Sequence, residues 1–482
     1  METYNFEKLC KKYIGGTGQK IRDVEPSTGR SIAEISLMTA EDANQSIDST
    51  LKGMKEWSSF TGPRRGSILY RAGEIMQESR DALAKLITVE EGKPLKDSIA
   101  EVIRSYELLK FYGALAFKHG GITLPSAQPD TRIFTVREPL GLIGIITPWN
   151  FPLSIPVWKS APALATGNAL ILKPATKTPL IAAAFIDILE KAGIPKGTVS
   201  LIVGTGRSVG DVIVRNEAIS AISFTGSVGV GKSIYKSVVE KEKFTRLQLE
   251  LGGKNALYID ESADINLSIT SSVKGAFGLT GQSCTATSRL IVHQGVYDKI
   301  KNGIGEMLKE FRIGNGLDAN VDMGPVVDKD QLDTDMRYIA TAKEEGARLM
   351  YGGALKTGLG SNLFLEPTIF DSVTPDMSIF KEEIFGPVLS IMAVENVNEA
   401  IELVNSARYG HTSGIIARDN TTINRFVSEV DTGVIKINKP TVGLELQAPF
   451  GAFKQSGANT WKEMGEEALN FYSREKTVYH GW

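Results

Sequence analysis

Three short stretches of this chain place reactive side chains among residues too small or too rigid to shield them. Cys284 stands in Gly281-Gln-Ser-Cys-Thr-Ala-Thr, Glu250 opens Glu250-Leu-Gly-Gly-Lys254, and Asn150 is set between two prolines in Pro148-Trp-Asn-Phe-Pro152. A thiol can attack an electrophilic carbon, a carboxylate can take a proton from water, and a fixed amide can donate to an oxygen that becomes negative. Each residue has a plainer reading. An isolated cysteine is usually a small buried hydrophobe, a glutamate a solvated surface acid and an asparagine a turn residue. Only the combination points to covalent catalysis at a carbonyl.

The chain that must position these groups has 482 residues, 42% of them apolar, enough for two or three domains with large cores. Its 54 basic and 56 acidic side chains leave a net charge of -2, so no field draws it to nucleic acid or to an anionic membrane, and a partner is expected at a site. Cys10 and Cys284 are too few for a disulfide framework, which fits a reducing cytoplasm. The start has no basic segment followed by an apolar run, and no stretch reaches about 18 uninterrupted apolar residues. An unexported protein without membrane spans is expected. His119, His293, His411 and His480 show no ligand spacing, so no metal site is expected.

From Ala40 to about Gly113, charged and apolar residues interleave at helical spacing, and these helices are expected to cover a sheet. From Gly141 the texture changes. Short apolar runs at Leu142 to Ile146, Ala169 to Leu172, Ser200 to Val203 and Ala221 to Phe224 alternate with amphipathic stretches such as Leu180 to Ala192, which is the pattern of a parallel sheet. Gly226-Ser-Val-Gly-Val-Gly231 then leads into a helix expected to run to about Glu242. A second α/β unit is expected on strands near Ala256 to Ile259, Ser288 to Val292 and Leu389 to Val394.

Gly226 to Ser233 also satisfies GxxxxGK[ST], and Leu257-Tyr-Ile-Asp260-Glu261 resembles an acidic strand end that could hold magnesium, so a nucleotide triphosphatase is the rival reading. In a chain of this length and glycine content the loop pattern alone arises by chance at a rate of roughly 5%, which makes it weak.

The three reactive stretches, with Lys173-Pro-Ala, Phe224-Thr-Gly-Ser, Glu383-Ile-Phe-Gly-Pro387 and Pro449-Phe-Gly, resemble the aldehyde dehydrogenase superfamily in order and spacing from about residue 20 onward. The resemblance implies that Cys284 attacks the aldehyde, that the Asn150 amide and the Cys284 backbone N–H hold the oxyanion, and that Glu250 activates the hydrolytic water. It implies that Glu383 bonds the nicotinamide ribose with Phe385 near the ring, that Lys173 reaches the adenosine ribose, and that Ser227 opens the helix facing the pyrophosphate. Around the cofactor it further places Ile146, Thr147, Pro148 and Trp149, then Ala175 and Thr176, then Gly206, Arg207 and Gly210, and finally Phe224, Gly226, Gly231 and Leu251. Lys159, Lys254 and Arg289 match family positions with structural or supporting roles expected. Intact Glu250-Leu-Gly-Gly argues against the coenzyme-A-acylating branch, and the retention of Cys284, Glu250 and Asn150 argues against an inactive homologue.

The implied fold is α/β: a Rossmann-like parallel-sheet cofactor domain over 1–116 and 137–248, an α/β catalytic domain over 249–440, and a small β oligomerisation element with the substrate-entrance loop over 117–136 and 441–482. Arg132 to Arg137 and Lys476 to His480 read as strands whose edges seek pairing, which implies dimers and a homotetramer. NAD-specific relatives read K-P-A-E where this chain reads Lys173-Pro-Ala-Thr176-Lys177; without that carboxylate NADP is the expected cofactor, NAD remaining possible, with Lys177 or Arg207 as helpers. Ser283 and Ala452 depart from the family pattern in ways expected to affect local shape. The loop from Asn438 to Phe450 and Cys284 to Arg289 resemble the branch acting on 2,5-dioxopentanoate, with succinate semialdehyde the alternative.

Overall fold

The computed structural model describes residues 6–482. Four helices, Ala40–Ser59, Gly62–Glu78, Arg80–Glu91 and Leu95–Lys118, occupy the segment expected to be helical. The first starts at a capping box in which Thr39 accepts from the Asp42 N–H and Asp42 answers the Thr39 N–H. Only the first of them packs directly on a five-stranded parallel sheet, the other three lying on helices Ser154–Ala165 and Pro179–Ala192. The sheet is made of β1 (Leu142–Ile146), β2 (Ala169–Lys173), β3 (Val199–Leu201), β4 (Ile219–Thr225) and β5 (Arg246–Glu250), in the order β3-β2-β1-β4-β5. β1 and β2 are buried throughout, which explains why they read as unbroken apolar runs. Strand order reverses between β1 and β4, and in such sheets ligands bind beyond the carboxyl ends at that reversal.

The helix after β4 spans Val228–Val239, shorter at its end than the Glu242 expected, and it begins early enough to include Gly229 and Gly231. Only Gly226 and Ser227 separate strand from helix, so no run of free N–H groups wraps a triphosphate. Asp260 lies on the other sheet and spends its carboxylate on the Tyr258 and Ser262 hydroxyls. The phosphate-loop reading is thereby set aside.

The second sheet has seven strands: β6 (Asn255–Ile259), β7 (Thr287–His293), β8 (Arg348–Tyr351), β9 (Thr368–Asp371), β10 (Val388–Val394), β11 (Thr412–Ile416) and β12 (Val434–Ile437). Their order is β8-β9-β10-β7-β6-β11-β12, parallel apart from β8. β5 crosses the boundary expected at 248/249 and belongs whole to the first sheet, because its ladder with β4 continues through Thr225 and Glu250.

Thr131–Pro139 pairs antiparallel with Ser473–Gly481 along its whole length, and Thr123–Leu124 adds a third strand. At the opposite end, the hairpin Lys20–Val24 and Ser31–Ser36 brings Asp23 against Glu90, whose carboxylate accepts the Leu180 and Ile181 N–H groups at the start of helix Pro179–Ala192. Among the described residues no helix is long and apolar enough to cross a membrane and no cluster could hold a metal ion.

Candidate active site

The carboxyl ends of β1, β2, β4 and β5 meet the amino ends of β6, β7, β10 and β11, and the reactive residues lie in that seam. Asn150 follows β1 and is held from both sides. The buried Lys93 ammonium donates to the Asn150 carbonyl at 2.5 Å and to Glu101 at 2.8 Å, while the other oxygen of Glu101 accepts the Leu153 and Ser154 N–H groups at 2.9 and 3.0 Å. The Asn150 side chain donates one hydrogen to the Gln282 carbonyl at 2.9 Å, two residues before Cys284, and leaves its second for a ligand.

Cys284 lies beyond helix Ile265–Phe277, after a turn in which Leu279 and Thr280 take left-handed φ of 55° and 57°. The turn lets the chain reverse before β7. Behind Cys284 lies the Glu250-Leu-Gly-Gly turn between β5 and β6. A Cβ on Gly253 would stand 2.5 Å from the Cys284 carbonyl, and one on Gly252 would collide with the Glu383 carboxylate. Both glycines are therefore required by close approach, and through them the base, the nucleophile and Glu383 share one small volume. Glu383 accepts the Gly253 N–H at 2.8 Å.

Burial dominates the electrostatics of this seam. It pushes the Cys284 thiol well above its ordinary value, and the carboxylates of Glu250, Glu383 and Glu463 push it further. Glu250 is held well above the usual carboxylate range by burial and then by Glu463, against the opposing pull of Lys159, the Ala452 N–H and Lys462. Glu383 is pushed up to about 7 by burial, with the Gly253 N–H, Lys254 and Arg408 opposing. Among the described residues one oxygen of Glu250 has no hydrogen-bond partner, and the likewise unpartnered Nε2 of buried His411 stands 3.8 Å from it. Such groups are the usual signature of a working site.

The residues expected to hold a dinucleotide lie beside this seam. Ser227 caps helix Val228–Val239 through the Val230 N–H, so its hydroxyl serves the helix while the terminus offers its positive end to an anion. Gly231 packs under Leu251, so these two support the groove from below. Ile146 ends β1 and Thr147, Pro148 and Trp149 follow it; the buried Thr147 hydroxyl lacks a partner among the described residues, and the Trp149 ring meets Phe385 edge-on at 5.5 Å, with Phe385 at φ 65°. Lys173 ends β2 against Gly210, and burial pushes it down to about 8. Thr176 and Ala175 follow it, Phe224 lies in β4 beneath Gly226, and Gly206 to Gly210 form a turn capped by Thr205. Lys177 does not stand free as a phosphate helper: it is ion-paired with Asp328 and lies over the Trp149 ring at 5.6 Å. Arg207 is exposed.

Sequence reasoning missed several members of the site. Glu463 comes from the segment assigned to oligomerisation, yet it is buried, ion-paired with Lys159 and bonded to the Trp158 indole at 2.8 Å. Nothing local marks it. Lys93 and His411 were legible only as a lysine in Glu91-Gly-Lys-Pro and a histidine after a tyrosine and a glycine. Of the supporting residues, Arg289 donates to the Lys254 carbonyl at 3.0 Å and to the Leu403 carbonyl at 2.7 Å, a structural role, while the buried Lys254 ammonium has no partner and is pushed down to about 7 by burial and then by Arg289.

A model of the aldehyde dehydrogenase family matches residues 13–478. The chain is 58% identical to the 2,5-dioxopentanoate dehydrogenase of Saccharolobus solfataricus over 99% of its own length and 100% of that protein. It is 38% identical to the alpha-ketoglutarate semialdehyde dehydrogenase of Haloferax volcanii over 98% of this chain and 99% of that one. Among solved structures, betaine aldehyde dehydrogenase from Staphylococcus aureus in complex with NAD+ superposes with a TM-score of 0.94 at 33% identity, covering 99% of this chain and 97% of the other.

Proposed function

Since the chain belongs to the aldehyde dehydrogenase family and is an NAD(P)-dependent aldehyde-oxidising enzyme, we propose that its substrate is 2,5-dioxopentanoate, which it oxidises to 2-oxoglutarate with NADP preferred over NAD. The observation that carries the chemistry is the convergence of Cys284, Asn150 and Glu250 across the Gly252–Gly253 turn, together with the relatives that act on this semialdehyde.

In this reading the Cys284 thiol gives its proton to solvent, the sulfur bonds the aldehyde carbon as the carbonyl electron pair moves onto oxygen, and the negative oxygen is met by the second Asn150 amide hydrogen and the Cys284 N–H, donors already in place before charge develops. Bound NAD(P)+ supplies the hydride acceptor. Glu383 and Lys173 hold its two riboses, the start of helix Val228–Val239 its pyrophosphate, and Phe385 with Trp149 the nicotinamide side. Glu250 then takes a proton from the water that opens the thioester, and its raised proton affinity suits a base working near neutrality. Thr176 leaves the adenosine ribose without a facing carboxylate, and Lys173 and Arg207 are the cations near a 2'-phosphate. The exposed edge of Ser473–Gly481 supports assembly into a homotetramer.

The deciding experiment is a panel of kcat/KM values for 2,5-dioxopentanoate, succinate semialdehyde, glyceraldehyde, benzaldehyde and acetaldehyde with each cofactor. 2,5-dioxopentanoate with NADP is expected to lead. Succinate semialdehyde in first place would move the substrate by one carbon unit. Uncharged aldehydes ahead by about tenfold, or roughly 1.4 kcal/mol of transition-state preference, would end the carboxylate-directed reading.

A further inference from the structure

Helix Leu95–Lys118 runs alongside the Asn150 segment. Glu101 caps the Leu153 and Ser154 N–H groups, and the Ser105 hydroxyl lies 3.0 Å from that of Ser154. Arg104 sits between these two contacts in sequence but joins neither network. Its guanidinium makes no hydrogen bond or ion pair among the described residues, although the side chain is half-buried. Burial lowers its proton affinity, and the facing carboxylates of Glu101, Glu445 and Glu107 restore part of it. A partly desolvated cation without a partner is costly to keep, so its presence calls for a ligand or a role.

Glu445 belongs to the loop after β12, and that loop's Leu444 packs with Phe151 and Cys284 against the same core. Lys436, the third residue of β12, faces Arg104 as a second cation and ties the loop down by donating to the Gly443 carbonyl at 2.6 Å. The wall that runs from Asn150 and Cys284 to this loop thus carries Arg104 and Lys436, with Lys439 beside Lys436 and the exposed acids Glu107 and Glu445 facing Arg104.

We propose that Arg104, with Lys436 behind it, receives the distal carboxylate of the aldehyde substrate. This rests on the reading of a carboxylate-bearing aldehyde argued above. A guanidinium offers two parallel N–H donors that match a carboxylate, and the half-buried setting strengthens the pair relative to an exposed one. Glu445, exposed on its loop, is the counter-charge that the substrate displaces.

The test is the ratio of kcat/KM for 2,5-dioxopentanoate to that for pentanal, which has the same chain length and no charge. Arg104→Met is expected to lower this ratio about 10- to 100-fold, the scale of one charge-assisted hydrogen bond, and Arg104→Lys is expected to retain more of it. Glu445→Gln, on the surface and safe for folding, is expected to raise the ratio. A wild-type ratio above ten that stays within about threefold in Arg104→Met overturns the inference while leaving the substrate assignment intact. So does an unchanged or lower ratio in Glu445→Gln. A wild-type enzyme with no preference for the acid takes down both.

Discussion

The ammonium of Lys93 donates to the main-chain carbonyl of Asn150 at 2.5 Å from within a buried ion pair with Glu101, whose other oxygen caps the backbone just beyond Asn150. The amide proposed to meet the oxyanion is thereby oriented through its own backbone as well as through its side-chain hydrogen bond to the Gln282 carbonyl, which leaves the second amide hydrogen available.

Lys93→Met is therefore expected to lower kcat. Removing one oxyanion donor costs about 100- to 1000-fold, the loss expected of Asn150→Ala, and a misplaced donor should lose part of that. The effect should vanish in the Asn150→Ala background, because a donor that is absent cannot be misoriented. Breaking a buried pair also destabilises by about 3–5 kcal/mol, so rates are to be compared on folded protein. Equal losses in both backgrounds would mean that Lys93 supports the fold alone.

Glu250 and His411 should separate in a pH profile. Glu250 acts as a base only when ionised, and burial with the Glu463 charge raises it above the usual carboxylate range, so kcat should fall as pH drops through that raised value. His411 is pushed down to about 4 by burial and stays neutral across that window. Glu250→Gln is expected to lose the acid limb and about 100- to 10,000-fold in turnover while keeping a rapid burst of reduced cofactor. His411→Asn should keep the limb. A stopped-flow trace without a burst in Glu250→Gln would show that Glu250 also serves the thiol.

Cofactor choice should turn on Thr176. Thr176→Glu places a carboxylate beside the adenosine ribose, where repulsion of a 2'-phosphate at about 4 Å amounts to about 4 kcal/mol at most at an effective dielectric of 20, and less in an open groove. The expected result is a kcat/KM for NADP lowered at least tenfold against that for NAD. An unmoved ratio, or a wild type that already favours NAD, would refute the preference proposed.

Asp23 should make stability depend on pH. Burial pushes it up to about 7 against Glu90, from an unfolded value near 3.8. The native state therefore binds a proton that the unfolded chain loses between pH 4 and 7, and stability present at the acid end declines across that window. Asp23→Asn removes the titrating carboxyl and leaves a neutral amide beside Glu90, so its Tm should exceed that of the wild type at pH 8 and approach it near pH 4. A constant difference across that range would place the effect in packing.

Assembly is open to a direct measurement. Deleting residues 473–482 removes the strand paired with Thr131–Pro139 and its exposed Tyr479 and Trp482. Light scattering should then return a smaller species than the full chain, which itself should exceed 52.3 kDa. A full-length monomer would discard the homotetramer.

Much of this protein is written in short stretches of its chain. The strands β1, β2, β4, β6 and β10 follow from local patterns, because burial on both faces demands unbroken apolar runs, while Cys284, Glu250, Asn150, Lys173, Ser227 and Glu383 stand in short motifs marked by their resemblance to the family, two of whose glycines close approach demands. What the tertiary structure alone decided lies in pairs far apart along the chain. Lys93 reaches Asn150 and Lys159 reaches Glu463, while Lys177 is spent on Asp328, and Arg104 is left without a hydrogen-bond or ion-pair partner among the described residues. No periodicity encodes such meetings. The proton affinities of Glu250, Cys284 and Glu383 belong to the same class, since desolvation and neighbouring charge are properties of a place in the fold and not of a residue type.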